Sequence, residues 1–188
     1  MGVSKGLLVV IAAPSGGGKT TLANELIHRF PNSRRSITCT TRPARTTEIP
    51  NQDYTFVNDA DFDRMLKDNE FAEWAKVHGH RYGTRKSVVR ESVEKGEVLF
   101  MTIDVQGAKS IKNAFPDALT IFVMPPDFDV LESRLRKRGT ESDVDIRRRL
   151  ENARKEIAMV GDFDFEVLND RLDRAALEIE SIIRKRLS

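Results

Sequence analysis

The run Leu7-Leu8-Val9-Val10-Ile11-Ala12 leads straight into Ala13-Pro14-Ser15-Gly16-Gly17-Gly18-Lys19-Thr20. Six consecutive apolar residues read as a strand buried on both faces, which needs sheet neighbours and helices above and below it. Three glycines in a row let the next turn curl until several backbone N–H groups converge on one point. The helix predicted after the turn adds the positive end of its dipole. Strand, loop and helix in this order make a phosphate cradle. Residues Ala13, Pro14, Ser15, Gly16, Gly17 and Gly18 form its wall, Lys19 reaches the β- and γ-phosphates of a nucleoside triphosphate, and the Thr20 hydroxyl suits Mg²⁺, with Thr21 beside it. Ala13 departs from the pattern G-x-x-x-x-G-K-S/T, which has glycine at its first position.

The remaining periodicities fit the same architecture. Leu22, Leu26, Ile27 and Phe30 mark one face of the first helix, and Pro31 ends it. A polar, turn-rich stretch covers 38–53. Short mixed signals follow: a strand near 54–57, a helix over 59–67 and a strand over 71–77. A helix is predicted over 84–95, and apolar strands over 98–103 and 119–124. Helices are predicted over about 106–114, 127–138 and 143–160, a last strand over 165–168, and a final helix burying Ala176, Ile179, Ile183 and Leu187. Apolar strands alternating with helices imply an α/β fold with a parallel sheet covered on both faces. Two stretches, about 38–83 and 138–150, read as insertions into it.

Composition narrows the function classes. A chain of 188 residues suits one domain. Its one cysteine, Cys39, excludes an internal disulfide and fits a reducing compartment such as the cytoplasm. No apolar run approaches a membrane span, and no signal peptide is expected. The 31 basic and 29 acidic residues are interspersed, with a net charge of +2, so no nucleic-acid face is expected.

Two further signals carry chemistry. Asp104 ends an apolar strand, where α/β folds place ligand-contacting groups, and it can meet Mg²⁺ directly or through water; the same residue could equally cap the next helix. Arginines cluster in Thr40-Thr41-Arg42-Pro43-Ala44-Arg45, with Tyr54 and Tyr82 further on, and again at Arg134, Arg138, Arg148 and Arg149. Guanidinium forks match phosphate oxygens, and tyrosine hydroxyls add neutral donors. Arg147 and Arg148 fit a solvated helix face better, because three consecutive arginines cannot all face one site.

Together these blocks resemble the guanylate kinases over essentially the full chain. To the loop and the Thr-Thr-Arg block they add Glu70-Phe71-Ala72-Glu73-Trp74, Tyr82-Gly83-Thr84, Ile103-Asp104-Val105-Gln106-Gly107, Pro125-Pro126, Arg138-Gly139-Thr140-Glu141 and Val167-Leu168-Asn169-Asp170. The resemblance implies Mg²⁺-dependent phosphorylation of GMP, and of dGMP, by ATP through direct in-line transfer. It implies a P-loop core (about 1–37, 84–137 and 151–188), a GMP-binding lobe (38–83) and a helical lid (138–150). It assigns the GMP phosphate to Arg42, Arg45, Tyr54 and Tyr82, and guanine to Thr38, Glu73, Thr84 and Asp104. ATP falls to residues 13–21 with Arg134, Arg138 and Asn169. Lys19, Arg42, Arg138 and Arg149 stabilise the moving phosphoryl group. His28, His78 and His80 have no role as bases, because a phosphate oxygen is already a nucleophile.

The chain departs from the family pattern at several places. Thr102 stands where a first carboxylate is usual, Thr47 where a glycine is common, and Arg81 where tyrosine is frequent. Trp74 is expected to be packed in the core. A protein-binding module of the same fold, and a P-loop kinase for another phosphorylated small molecule, are the alternatives. The retained loop argues against the first, and Glu73 with Asp104 against the second. A monomer or a homodimer would both fit.

Overall fold

The computed structural model describes residues 6–77, 79–137 and 143–188. Its centre is a five-stranded, all-parallel sheet in the order β2-β7-β1-β8-β9. The strands are β1 (Leu7–Ala12), β2 (Ser33–Arg35), β7 (Val98–Thr102), β8 (Leu119–Met124) and β9 (Phe165–Leu168). Alternation along β1 explains its unbroken apolar run. Leu7, Val9 and Ile11 face a core closed by α1 (Lys19–Arg29) and α7 (Leu172–Leu187). Leu8, Val10 and Ala12 face the opposite core, with residues of α3 (Lys86–Glu94) and α4 (Val105–Ala114). Both faces are covered, so β1 is apolar throughout.

A second, four-stranded sheet occupies 38–85, in the order β4-β3-β6-β5. It consists of β3 (Thr38–Thr40), β4 (Tyr54–Phe56), β5 (Phe71–Val77) and β6 (His80–Arg85). β3 runs parallel to β4 and antiparallel to β6, and β6 runs antiparallel to β5. α2 (Asp59–Lys67) packs on it through Phe62 and Met65, which join Cys39 and Phe71 in a separate small core. The remaining helices are α5 (Phe128–Lys137) and α6 (Asp143–Ile157), the latter followed by a 3-10 turn at Val160–Asp162. No helix among the described residues is long and apolar enough to cross a membrane.

Three expectations change. The polar stretch 38–53 contains the strand β3, whose one apolar residue, Cys39, gives no alternation to read. The helix predicted over 84–95 starts at Lys86, because Thr84 and Arg85 belong to β6 and pair with Glu73 and Phe71 of β5. At the last helix, Ala175 is buried with Ala176, Ile179 and Ile183, whereas Leu187 lies on the final turn and is 44% exposed.

β5 holds the departure with most consequence for function. Between Phe71↔Arg85 and Glu73↔Thr84, two residues of β5 advance against one of β6, a β-bulge. The bulge reverses the faces that strict alternation would assign. Phe71 stacks on Phe62, with centroids 4.6 Å apart, and Trp74 meets the same ring edge-on at 6.4 Å. Glu73 instead turns toward α4. Trp74 is therefore not the core residue expected from its type: it is 47% exposed, while Glu73 is only 5% exposed.

Candidate active site

The carboxyl ends of β1 and β7 open onto a cleft of about 350 Å³ that continues between the two sheets. Gly16 to Thr21 line one end, and Thr38, Arg42, Arg45, Tyr54, Glu73 and Tyr82 the other, with Asp104 and Thr102 on the same wall. This is the edge at which parallel α/β sheets present ligand sites.

The loop end is built from backbone. Gly16 and Gly18 hold φ of 89° and 92°, the left-handed region, and Gly18 is the N-cap of α1. Gly17 N–H donates to the Pro14 carbonyl at 2.8 Å and closes the turn. The left-handed positions fall after residue 13, so Ala13 carries its buried methyl without strain. Lys19 Nζ donates to the Ala13 carbonyl at 2.5 Å. From α6, Arg149 Nη1 donates to Ser15 Oγ at 3.1 Å. Asn169 supports the loop from behind: its amide donates to the Gly17 carbonyl at 3.0 Å and fills the space a Cβ on Gly18 would need. Arg134 Nη2 in turn donates to the Asn169 carbonyl at 3.3 Å. Ala13, Pro14, Arg134 and Asn169 thus stand outside the cleft wall, and Arg138 lies outside the described residues.

Carboxylates gather beside Lys19. Asp104 caps α4, its Oδ1 accepting the Gly107 N–H at 2.8 Å, while the residue also lines the cleft. Capping and ligand-facing positions prove compatible in one residue. Glu156, from α6, lines the same end. Burial pushes its pKa up; Lys19 opposes this, the Asp104 charge adds to it, and the Ser15 N–H opposes it. Its buried Oε2 has no hydrogen-bond partner among the described residues.

The far end is built from side chains. Glu73 pairs across the sheet with Thr84, and one step along the β3–β6 register sets Thr38 beside Thr84. All three are buried. Glu73 Oε1 and Thr84 Oγ1 are buried and make no well-formed hydrogen bond among the described residues, a cost that polar groups of a ligand in the cleft would offset. Burial pushes the Glu73 carboxyl up to about 7; the side chain and N–H of Thr84 oppose the shift, and the Asp104 charge adds to it. Room for this carboxylate comes from Gly107, where a Cβ would stand 2.7 Å from Glu73 Oε2.

Arg42 lies over the rings of Tyr54 and Phe56, at 5.4 and 5.9 Å, and Tyr54 meets Tyr82 edge-on. Arg81 turns the other way, clamped to Asp59 and Asp63 of α2 above the Phe62 ring, so its neighbour Tyr82 alone faces the cleft. Four cleft residues carried no readable signal: Arg35, Glu48, Asp53 and Glu156. Glu48 follows Arg45 by three residues, and a carboxylate within an arginine block is the one sign that could have marked it.

The sequence matches the family profile described as guanylate kinase over residues 5–186. It is 47% identical to the guanylate kinase of Syntrophotalea carbinolica, covering 95% of this chain and 85% of that one. It is 46% identical to that of Myxococcus xanthus, covering 95% and 86%. The fold superposes on the crystal structure of guanylate kinase from Anaplasma phagocytophilum with a TM-score of 0.81 at 30% identity, covering 98% of this chain and 87% of that one. A glycine cradle facing a buried carboxylate across one cleft, in a sequence this close to those enzymes and matching their profile over 5–186, has one reading: the chain belongs to the guanylate kinase family.

Proposed function

We propose that this chain transfers the γ-phosphoryl group of ATP to GMP, giving ADP and GDP, with the loop end of the cleft holding the donor and the second sheet the acceptor. The observation that carries the reading is Glu73, a buried carboxylate in the cleft, next to the buried Thr84 hydroxyl. Guanine presents N1–H and N2–H₂ donors next to the O6 acceptor. Glu73 and Asp104 accept the first set, while the Thr38 and Thr84 hydroxyls donate to O6. Adenine offers an unprotonated N1 and would leave a buried carboxylate facing a lone pair, an arrangement that rejects by large factors. No contact in this assignment reads the 2′-hydroxyl, so dGMP is accepted as well.

The GMP phosphate lies among Arg42, Arg45, Tyr54 and Tyr82. The triphosphate takes the N–H groups of the glycine loop, with Lys19 leaving the Ala13 carbonyl to meet it. Arg149, from α6, and Arg138 bring charge to the moving phosphoryl group. Residues 38–83 serve as the acceptor lobe and 138–150 as the lid. Catalysis then rests on alignment and on charge stabilisation, with no covalent enzyme intermediate. The oxygen donors at the loop end, Thr20 hydroxyl, Asp104 and the partnerless Oε2 of Glu156, suit a hard hydrated cation, so Mg²⁺ fits there. When bound, it supplies charge neutralisation on the phosphates; with Thr102 in place of a carboxylate, Asp104 takes the acidic share. The setting is cytoplasmic, as monomer or homodimer.

A coupled assay with ATP, Mg²⁺ and a panel of monophosphates tests the reading. GMP and dGMP should turn over well above AMP, CMP and UMP. Equal rates across the panel would overturn the guanine assignment.

A further inference from the structure

Arg42, which the reading above places on the GMP phosphate, is already held by a residue with no assigned part in the reaction. Its Nη2 lies 2.7 and 2.9 Å from the two carboxylate oxygens of Glu48. Its Nη1 donates to the Pro43 carbonyl at 2.7 Å. Glu48 Oε2 also accepts the Arg45 backbone N–H at 2.8 Å, and the Glu48 N–H donates to the Arg45 carbonyl at 3.1 Å. One carboxylate therefore closes the 45–48 turn and fixes the guanidinium at its mouth. Both side chains are mostly withdrawn from water, Arg42 at 14% exposure and Glu48 at 13%.

Two outcomes are open to such a carboxylate when a phosphate arrives. It could act as a stand-in anion and be displaced, or it could stay and share the arginine. The contacts favour sharing. A guanidinium has five N–H groups. Glu48 takes at most the two on Nη2, and Pro43 one on Nη1, which leaves Nε–H and one Nη1–H, with the Tyr82 hydroxyl beside the guanidinium, to face a ligand. Displacement would also orphan the Arg45 N–H and leave the carboxylate with only the long ion pair to the Arg45 guanidinium, 3.9 Å from Oε1.

We propose that Glu48 is a positioning residue for the phosphate of GMP: it keeps its bonds to Arg42 and the Arg45 N–H and holds the guanidinium fork toward the incoming monoester. The proposal rests on the placement of that phosphate at Arg42.

Calorimetric titration of folded variants with GMP, guanosine and a non-hydrolysable ATP analogue tests it. Glu48→Ala should weaken GMP binding about tenfold, the scale of one charge-assisted hydrogen bond. Glu48→Gln, which can still accept the Arg45 N–H, should weaken it by a smaller factor. Guanosine and the ATP analogue should bind as to the parent, and GMP turnover should lose in KM rather than kcat. In an Arg42→Met background the cost of Glu48→Ala should shrink to less than about twofold, because its route to the phosphate is gone. Parent-like or tighter GMP binding by Glu48→Gln would identify a displaced stand-in and overturn the proposal. An undiminished cost of Glu48→Ala on Arg42→Met would also overturn it, by assigning the effect to the turn alone. Parent-like GMP binding by Arg42→Met itself would remove the phosphate from Arg42, a failure of the underlying placement, recognisable because Arg42 rather than Glu48 is then silent.

Discussion

At the loop end, the cleft is made by consecutive residues and shaped by their backbone; at the other, proposed guanine end, it is assembled from side chains on β3, β4, β5, β6 and the start of α4. The first construction is local. Its geometry follows from two left-handed glycines and a helix start, and a methyl at Ala13 does not disturb it. The second depends on the relative placement of elements far apart in sequence. Glu73 needs a bulge to aim it, Gly107 to make room, and Thr84 held on a central strand beside it. A local site should fail through loss of its own charged group, and an assembled one through small displacements of its neighbours.

The largest expected effect is at the loop end. Lys19→Met removes the one flexible cation rooted in the cradle and should lower kcat by about 10³-fold, the scale on which positioned charges act in phosphoryl transfer. The protein should melt as the parent does, because the loop is held by backbone and by Asn169. Steady-state kinetics with a thermal melt checks this. Full activity would mean that the donor does not lie in the cradle.

Next comes Gly107→Ala, which leaves every proposed contact group in place. The added methyl would stand 2.7 Å from Glu73 Oε2, so the carboxylate must move. A displacement approaching an ångström is expected to cost about 10²-fold in kcat/KM for GMP, with the KM for ATP unchanged. A matching loss in ATP KM would break the comparison, by showing the two ends to be mechanically one.

How far each end could be read from sequence follows from the same difference. Leu7 through Thr21 show strand, turn and helix in one contiguous stretch, so the cradle was legible without any tertiary knowledge. Glu73 was not legible by pattern. Next to a tryptophan, it reads as the exposed partner of a core Trp74. The fold reverses the two because the bulge shifts the pleat after Phe71, and nothing local in Glu-Phe-Ala-Glu-Trp announces a bulge. The resemblance to guanylate kinases picked out Glu73 where periodicity could not. Glu48 and Glu156 escaped both, since each acts on a neighbour that only the tertiary structure supplies.

A smaller effect concerns pH. Burial holds the Glu73 carboxyl up at about 7, and a neutral acid accepts the guanine N1–H more weakly than a carboxylate and turns an O–H donor toward the donors beside it. GMP affinity should therefore rise severalfold between about pH 6 and 8. Glu73→Gln should bind weakly and lack that rise, apart from the part due to the second ionisation of the GMP phosphate near 6, which both proteins share. The sign for stability is the opposite. With its folded pKa raised above the unfolded value, Glu73 favours the fold fully below the ordinary carboxylate range, and that advantage is lost as pH climbs through about 7. The melting temperature of the parent should thus fall relative to Glu73→Gln over this window. A pH-independent difference between the two would mean that Glu73 is already ionised.

The smallest expected effect tests the bulge itself. If β5 kept strict alternation, its faces would differ, and a tryptophan turned into the core would cost about 3–5 kcal/mol on truncation to alanine. With the bulge, Trp74 touches the Phe62 ring by one edge and is otherwise half in water. Trp74→Ala should therefore cost about 1 kcal/mol or less in chemical denaturation, and GMP kinetics should be unchanged. Phe62→Ala is the internal standard, because that ring, carried by α2, is fully buried against Phe71 and should cost the full core amount. Comparable losses for the two would return Trp74 to the core. Glu73 would then turn away from α4 to the face of Phe71, and the proposed guanine end of the cleft would lose the carboxylate on which its reading depends.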